Sequence, residues 1–430
     1  MREMKDSGIE WIGEIPADWE VIALKHIAHS NSEVLNENTD PDYEFDYIDI
    51  GSVIYGKGVT EFQHMNFASS PSRARRVVKA DDVIISTVRT YLRAVAIIRE
   101  KNSPQIVSTG FLALRSKNGI IHPTYLYYAV LSDNFIQNVE SQSVGISYPA
   151  INSTTISTIK LPIAPYKEQQ RIADYLDRKC SQIDAIIARQ QEVIEKLKAY
   201  KLSVITEAVT KGLNPDVPMK DSGVEWIGEI PEHWDFRRIK NCCLIVDCKN
   251  RTPDPDPDGE YIVVRTTCIR DGSFSYEGSY HTNAENFKEW TAKGQPQHGD
   301  IFFTREAPMG EACLVPDDDN LCMGQRVMFF RPLDGSDPRY ILYSIYGPLA
   351  REYIDSKNKG STVGHLKLGQ VASLPLFYCP PKGQNEIADY LDKRCGAIDK
   401  VVEKKAEIIS KLTDYKKSLI YEVVTGKKEV

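Results

Sequence analysis

Missing from these 430 residues is any apolar run of the ~18 residues a membrane-spanning helix needs. Missing too from the opening, MREMKDSGIEWIGE, are the basic and apolar regions of a secretory signal, so a cytoplasmic location is expected. The chain has no excess of positive charge: 53 Lys and Arg stand against 60 Asp and Glu, for a net charge of −7. That balance argues against a uniformly basic nucleic-acid binder, yet says little about one face, because phosphate contact needs only a local cluster. Nine cysteines, an odd number, show no CxxC or Cys/His ligand spacing. Reduced, structural thiols and no metal site are the expectation.

Catalytic signatures are absent as well. There is no GxSxG, HExxH or GxGxxG, and no Asn/Asp-Pro-Pro-aromatic of the kind that holds a flipped adenine. Gly51, Gly56 and Lys57 do fit the GxxxxGK skeleton of a phosphate loop. Gly58, however, stands where a Ser or Thr would ligate Mg²⁺, and the segment lies between strands, so a hairpin turn explains the glycines. Asp254, Asp256 and Asp258 alternate like hard-ion ligands, but their interleaved prolines favour an exposed acidic loop. No catalytic residue and no cofactor are assigned to this chain.

What the chain does have is a repeat. Residues 172–210 and 387–425 are identical at 20 of 39 positions without a gap, and residues 4–19 recur as 219–234 with 13 of 16 identical. Both pairs share an offset of 215, so the chain is a tandem duplication. The tryptophans of the openings, Trp11, Trp19, Trp226 and Trp234, read as anchors of a packed entry segment. Cys180 and Cys395 fall at equivalent positions.

The longer repeat reads as an amphipathic helix. Ile183, Ile186, Gln190, Val193, Leu197, Tyr200 and Val204 form a heptad line in the first copy. Ile398, Val401, Lys405, Ile408, Leu412, Tyr415 and Leu419 form it in the second. A line that narrow wants one partner helix, and the other copy is the obvious one.

Between opening and helix, each copy shows short β-rich runs broken by Gly, Pro, Asn and Asp. Residues 43–59 align with 260–274 as strand, turn and strand, and 81–98 align with 299–315. A helix-like stretch follows at 123–139 and 338–354, then a Pro-bearing strand that delivers the chain to the long helix. The fold class is therefore α+β, with two homologous α/β modules separated by two long antiparallel coiled-coil helices in a pseudo two-fold arrangement. The domains are 1–166, then the helix 167–214, then 215–381, then the helix 382–430. A 40-residue helix rising ~1.5 Å per residue is about 60 Å long, so two heads would meet DNA about two helical turns apart.

Basic residues gather on the divergent parts of the modules. The first offers Ser72, Arg73, Arg75, Arg76 and Lys79, then Thr87, Arg89, Thr90, Tyr91 and Arg93 around a turn. The second offers Arg251, Arg265, Thr266, Arg270, Thr304, Arg305, Gln325 and Arg326, and later Lys357, Lys359, His365 and Lys367. Arg and Gln can read guanine and adenine edges, while Lys, Ser and Thr mostly hold phosphates. Any one of them alone is better explained as a solvated surface charge.

Three strings resemble a known family: SGIEWIGEIP seen twice, GDIFFTREAPMGEACLV with GQRVMFF, and PxxEQQRIADYLD at Pro165 to Asp177. Together they are similar to the DNA-specificity subunit of type I restriction-modification systems, over essentially the whole chain. The second helix entry departs at Gly383 and Asn385, which should weaken only the cap of that helix. The resemblance implies two target-recognition domains, each reading one half of a bipartite site in double-stranded DNA. It implies helices that bind two methyltransferase subunits, with restriction subunits as further partners. S-adenosylmethionine, ATP and Mg would then belong to those partners and not to this non-catalytic chain. The competing expectation is a coiled-coil structural adaptor that ignores DNA.

Overall fold

The computed structural model describes residues 2–101, 103–333, 335–357 and 364–430. Its chain divides into two compact units, residues 1–191 with 406–430 and residues 192–405. Each unit holds one β-rich module and one half of each long helix.

In the first unit the opening segment is a hairpin, Met4–Asp6 against Glu14–Pro16, that leads to fully buried Trp19. A four-stranded antiparallel sheet follows in the order Val95–Ile97, Val83–Ser86, Phe111–Ser116, Ala28–Ser30. A second sheet runs Gln63–Asn66, Glu44–Ile48, Gln105–Ser108, Ala74–Val78, with its middle pair parallel. Strand Val83–Ser86 is buried along its whole length, as its unbroken apolar run VII requires. The second unit repeats both sheets: Cys243–Val246, Val327–Pro332, Ile301–Thr304, Ala312–Leu314, and Tyr280–Thr282, Tyr261–Val264, Leu321–Met323. Among its described residues no edge strand corresponds to Ala74–Val78. Between strands Tyr280–Thr282 and Ile301–Thr304 it has instead a helix, Ala284–Trp290, whose N-cap Asn283 accepts from the Asn286 amide at 3.0 Å.

Two local expectations change. The second strand expected within 43–59 and within 260–274 does not extend a sheet. It folds into a private hairpin, Val53–Ile54 with Gly58–Val59 and Ile269–Arg270 with Ser273–Phe274. Gly56 and Gly58 adopt left-handed φ of +72° and +79° in that turn, which is why glycine stands there. The helix-like stretches each break in two, Pro123–Leu131 then Asp133–Ser141, and Pro338–Tyr346 then Pro348–Lys357. Extended Ser132 and Gly347 turn the chain between them.

The Pro-bearing strands Lys160–Ile163 and Pro375–Tyr378 pair with Glu20–Ala23 and Asp235–Arg238, then enter helices Tyr166–Lys211 and Pro381–Val424. A buried glutamine holds each entry. Gln169 accepts from the His122 amide at 2.8 Å and donates to the Ala164 carbonyl at 2.8 Å. Its counterpart Gln384 accepts from Asp337 and donates to Cys379. The tyrosines also correspond: Tyr125 and Tyr340 donate to the carbonyls of Pro162 and Phe377, and Tyr128 and Tyr343 to Asp177 and Asp392, all at 2.8 Å.

Gly383 costs more than a helix cap. Its counterpart Glu168 accepts from the Trp19 indole at 3.2 Å and pairs with Arg2 at 2.5 Å, tying helix to opening segment. The second unit has no carboxylate there. Trp19 and Trp234 are the buried anchors expected, while Trp11 is half-buried and Trp226 is exposed.

Inside each unit the two helix halves run antiparallel. In the first, Lys416 pairs with Asp184 at 2.7 Å, and Tyr125 donates to both Pro162 and Val424. In the second, Lys201 pairs with Asp399 at 2.7 Å while 204–209 pack on 387–395. The two ion pairs are copies of one another, 215 residues apart.

The packed line differs from the one read off the sequence at alternate positions. Ile183, Val204, Ile398 and Leu419 are buried, and Gln190, Val193, Leu197, Lys405 and Leu412 are half-buried. Ile186, Tyr200, Val401, Ile408 and Tyr415 are exposed instead, at 42–52%. The inward places next to them belong to Ile187, Lys201, Val402, Ile409 and Lys416. A seven-residue repeat offers apolar residues at both i+3 and i+4, and hydrophobicity alone does not choose between them. The spacing that packs places Lys201 and Lys416 inward, where each meets its aspartate.

All nine cysteines are free and buried. Burial pushes the Cys180 and Cys395 thiols up to about 11. No helix among the described residues is long and apolar enough to cross a membrane.

Candidate nucleic-acid interface

The two sheets of each module meet at one corner, where the strand ends hand over to loops. In the first unit the Thr87 amide donates to the Gly110 carbonyl at 2.7 Å, Thr109 to Arg73 at 2.8 Å and Ile151 to Thr87 at 2.8 Å. These bonds bring Arg73, Thr109, Arg89 and the loop before Ile151 together. The second unit repeats the pattern: Arg305 donates to Arg326 at 2.9 Å and Leu366 to Arg305 at 3.0 Å. By that correspondence Arg305 stands in the place of Thr87, Gln325 and Arg326 in the places of Thr109 and Gly110. The backbone frame is shared and the side chains differ.

Sorting the basic residues by partner separates surface from scaffold. The basic stretch 73–79 is one strand, so its two ends reach opposite ends of the sheet. Arg73 faces the corner, donating to Tyr47 at 3.1 Å and Asp49 at 3.0 Å with half its side chain exposed. Arg75 stacks on Phe67 at 4.7 Å. Arg76 is half-buried on Asn31 at 2.7 Å, and burial lowers its pKa. Lys79 at the far end pairs with Glu33.

Two more candidates are scaffold. Thr87 is buried with its hydroxyl on Gly110 at 2.9 Å. Arg93 is clamped by Asp133 and Glu140, both at 2.8 Å, with its pKa raised by the Glu140 hydrogen bonds. Arg89, exposed at left-handed φ +51°, meets no carboxylate partner among the described residues and lies 5.4 Å over the Tyr148 ring.

In the second unit Arg305 also turns inward. Its side chain is 11% exposed, bonded to Asp247 at 2.9 Å, the Leu366 carbonyl at 3.1 Å and His365 at 3.2 Å. Arg326, at φ +75° and 46% exposed, pairs with Glu306 at 2.9 Å, and His365 shares that carboxylate at 2.8 Å. Exposed Gln325 donates to the Asn250 carbonyl at 3.2 Å.

Around the corner, Arg251 and Lys249 share Glu289 and both lie 4.8 Å from the Trp290 ring. A cavity of about 430 Å³ opens there, lined by Asp247, Lys249, Asn250, Arg251 and Lys293. Exposed Arg265 donates to the Gly278 carbonyl at 3.4 Å. Arg270 lies exposed on its separate hairpin, Lys357 sits over Tyr353 at 4.7 Å, and Lys367 precedes the short helix Leu368–Ala372. Lys359 lies outside the described residues. No group of three metal-ligating side chains occurs among the described residues.

The family model for the type I restriction modification DNA specificity domain matches twice, over residues 16–196 and 231–410. The chain belongs to that family. A putative MjaX specificity subunit of Methanocaldococcus jannaschii is 24% identical over 97% of this chain and 95% of its own length. The EcoKI specificity subunit of Escherichia coli K12 is 22% identical over 72% of this chain and 67% of its own.

Among solved structures, a chain from a study of complex assembly and conformational transition of the type I R-M system superposes with TM-score 0.72. It is 19% identical and covers 96% of this chain and 99% of that one. The HsdS subunit from Thermoanaerobacter tengcongensis gives TM-score 0.50 at 20% identity, over 96% and 98%. The specificity-subunit fold thus spans the whole chain, with one specificity domain in each half.

Sequence reasoning did not single out Thr109, Glu306, Asp247, Trp290 or the loop 144–149. The backbone hydrogen bonds set Thr109 opposite Gln325, whereas the offset of 215 taken from the helices puts Gly324 there.

Proposed function

We propose that this specificity subunit binds double-stranded DNA through the two corners, each reading one half of a bipartite site. The observation that carries this is the shared corner frame with unlike side chains: Arg73, Arg89 and Thr109 on one, Arg265, Gln325 and Arg326 on the other. An unlike pair of surfaces on a like pair of frames is what an asymmetric two-part site calls for. The net charge of −7 is no obstacle, since phosphate contact needs only a local basic cluster.

In this reading the paired helices set half-site spacing and carry two methyltransferase subunits, on which restriction subunits also assemble. The exposed Ile186, Tyr200, Val401, Ile408 and Tyr415 support a role in partner docking, because such apolar side chains favour being covered. Methyl transfer with S-adenosylmethionine, and ATP- and Mg-dependent cleavage, belong to those partners. The chain's own contribution is binding, register and the choice of site.

Selection from a random duplex pool by the chain assembled with its methyltransferase subunits tests this. The enriched duplexes should share two unlike short motifs at a fixed gap. Enrichment of one motif only, or of none, overturns the reading.

A further inference from the structure

The three most exposed large apolar side chains among the described residues lie on one loop of the first unit. Ile146 is 103% exposed, Val144 81% and Tyr148 68%. The loop is built, not trailing. Val144 and Ala150 exchange two backbone hydrogen bonds at 2.9 and 3.0 Å, closing a five-residue turn. Gly145 takes φ +119°, and a Cβ there would come within 3.1 Å of the Tyr148 carbonyl. Ala150 also bridges to Val88, rooting the loop beside Arg89 on the corner.

One exposed isoleucine would need no explanation; three apolar side chains on a closed tip do. Their surroundings favour a nucleic acid over a protein. The tip is continuous, through Ile151 and Thr87, with the surface that carries Arg73 and Thr109. The cation against Tyr148 is Arg89, and no carboxylate among the described residues pairs with it. An apolar wedge flanked by a cation matches a duplex whose bases part while the adjacent phosphate is held.

Resting on the recognition reading above, we propose that Ile146 and Tyr148 enter the duplex at one base step of the half-site read by the first unit. They partly unstack that step while Arg89 holds a neighbouring phosphate. Selectivity at the step then comes from the ease of unstacking as well as from hydrogen bonds, favouring flexible pyrimidine–purine steps. The inference concerns the first unit; residues 358–363, which precede His365 in the sequence of the second, lie outside the described residues.

The test uses the full chain with its methyltransferase subunits and duplexes carrying the selected site. 2-Aminopurine replaces one base at a time in each half-site, away from the methylated adenine. Wild type should raise fluorescence severalfold at one step of the first half-site. The double variant Ile146→Ser, Tyr148→Ala should abolish that rise and weaken binding about tenfold, the scale of losing one stacked aromatic contact. Tyr148→Phe should retain both.

Unchanged fluorescence and affinity in the double variant would overturn the wedge. So would loss of co-elution with the methyltransferase while the fluorescence response persists, which would assign the loop to that partner. If the wild-type complex prefers no duplex over random DNA, the recognition reading itself fails. If it selects its site without a loop-dependent signal, only the wedge fails.

Discussion

At the scale of single residues, the same backbone place holds a buried threonine in one unit and a half-turned arginine in the other. Thr87 and Arg305 both receive the amide of the returning loop, but only Arg305 reaches three further groups. Arg305→Ala would leave Asp247, a mostly buried carboxylate, without its cation. We expect a loss of about 2 kcal/mol in unfolding free energy. Thermal unfolding monitored by circular dichroism checks it, and a wild-type transition would contradict the inward geometry.

Gln325→Ala removes an exposed amide at little structural cost. It should relax selectivity in one half-site, by ~1–3 kcal/mol at the base it reads. Competition binding with single-base variants of the selected site would show this, whereas uniform weakening would reduce Gln325 to a phosphate contact.

Residue types told which side chains could touch DNA, not which were free to. Arg73 and Lys79 look alike in sequence; Arg73 pairs with Asp49 at the corner, and Lys79 pairs with Glu33, 46 positions away, at the far end of the strand, an arrangement only the folded sheets create. Arg93 likewise meets Asp133 and Glu140 through tertiary packing. The loop 144–149 was passed over because it carries no charge.

At the scale of elements, repeat and helix were legible because both rest on local pattern. The seam was legible only in period. Its phase depends on which apolar line meets the neighbouring helix, and the Lys201–Asp399 and Lys416–Asp184 pairs record the outcome. Ile187→Ala should therefore destabilise by ~1–2 kcal/mol and Ile186→Ala hardly at all. Equal losses from chemical denaturation of the two variants would place the seam back on the sequence-derived line.

The thiols provide a second probe of packing. With Cys180 and Cys395 pushed up to about 11, well above the usual thiol range, both stay protonated at pH 8. Native protein should resist iodoacetamide at that pH and label at all nine positions once unfolded. Rapid native labelling at either helix cysteine, read by mass spectrometry, would contradict their burial.

At the scale of the whole molecule, two specificity domains are joined by helices of 46 and 44 residues. Removing one heptad from both helices shortens each by ~10 Å, which corresponds to about three base pairs of B-form DNA. The preferred gap should contract accordingly, and a gap that does not move would separate spacing from the helices.

Mapping of methylated adenines across genomic DNA tests the central claim most directly, comparing cells that express the wild-type chain with cells that express a variant altered only at the first corner, Arg73→Ala with Arg89→Ala. Wild type should yield one bipartite motif with modified adenine in both parts. The variant should change or blur one part and leave the other part and the gap as they were. A motif that changes in both parts together, or does not change, would contradict independent reading by the two units.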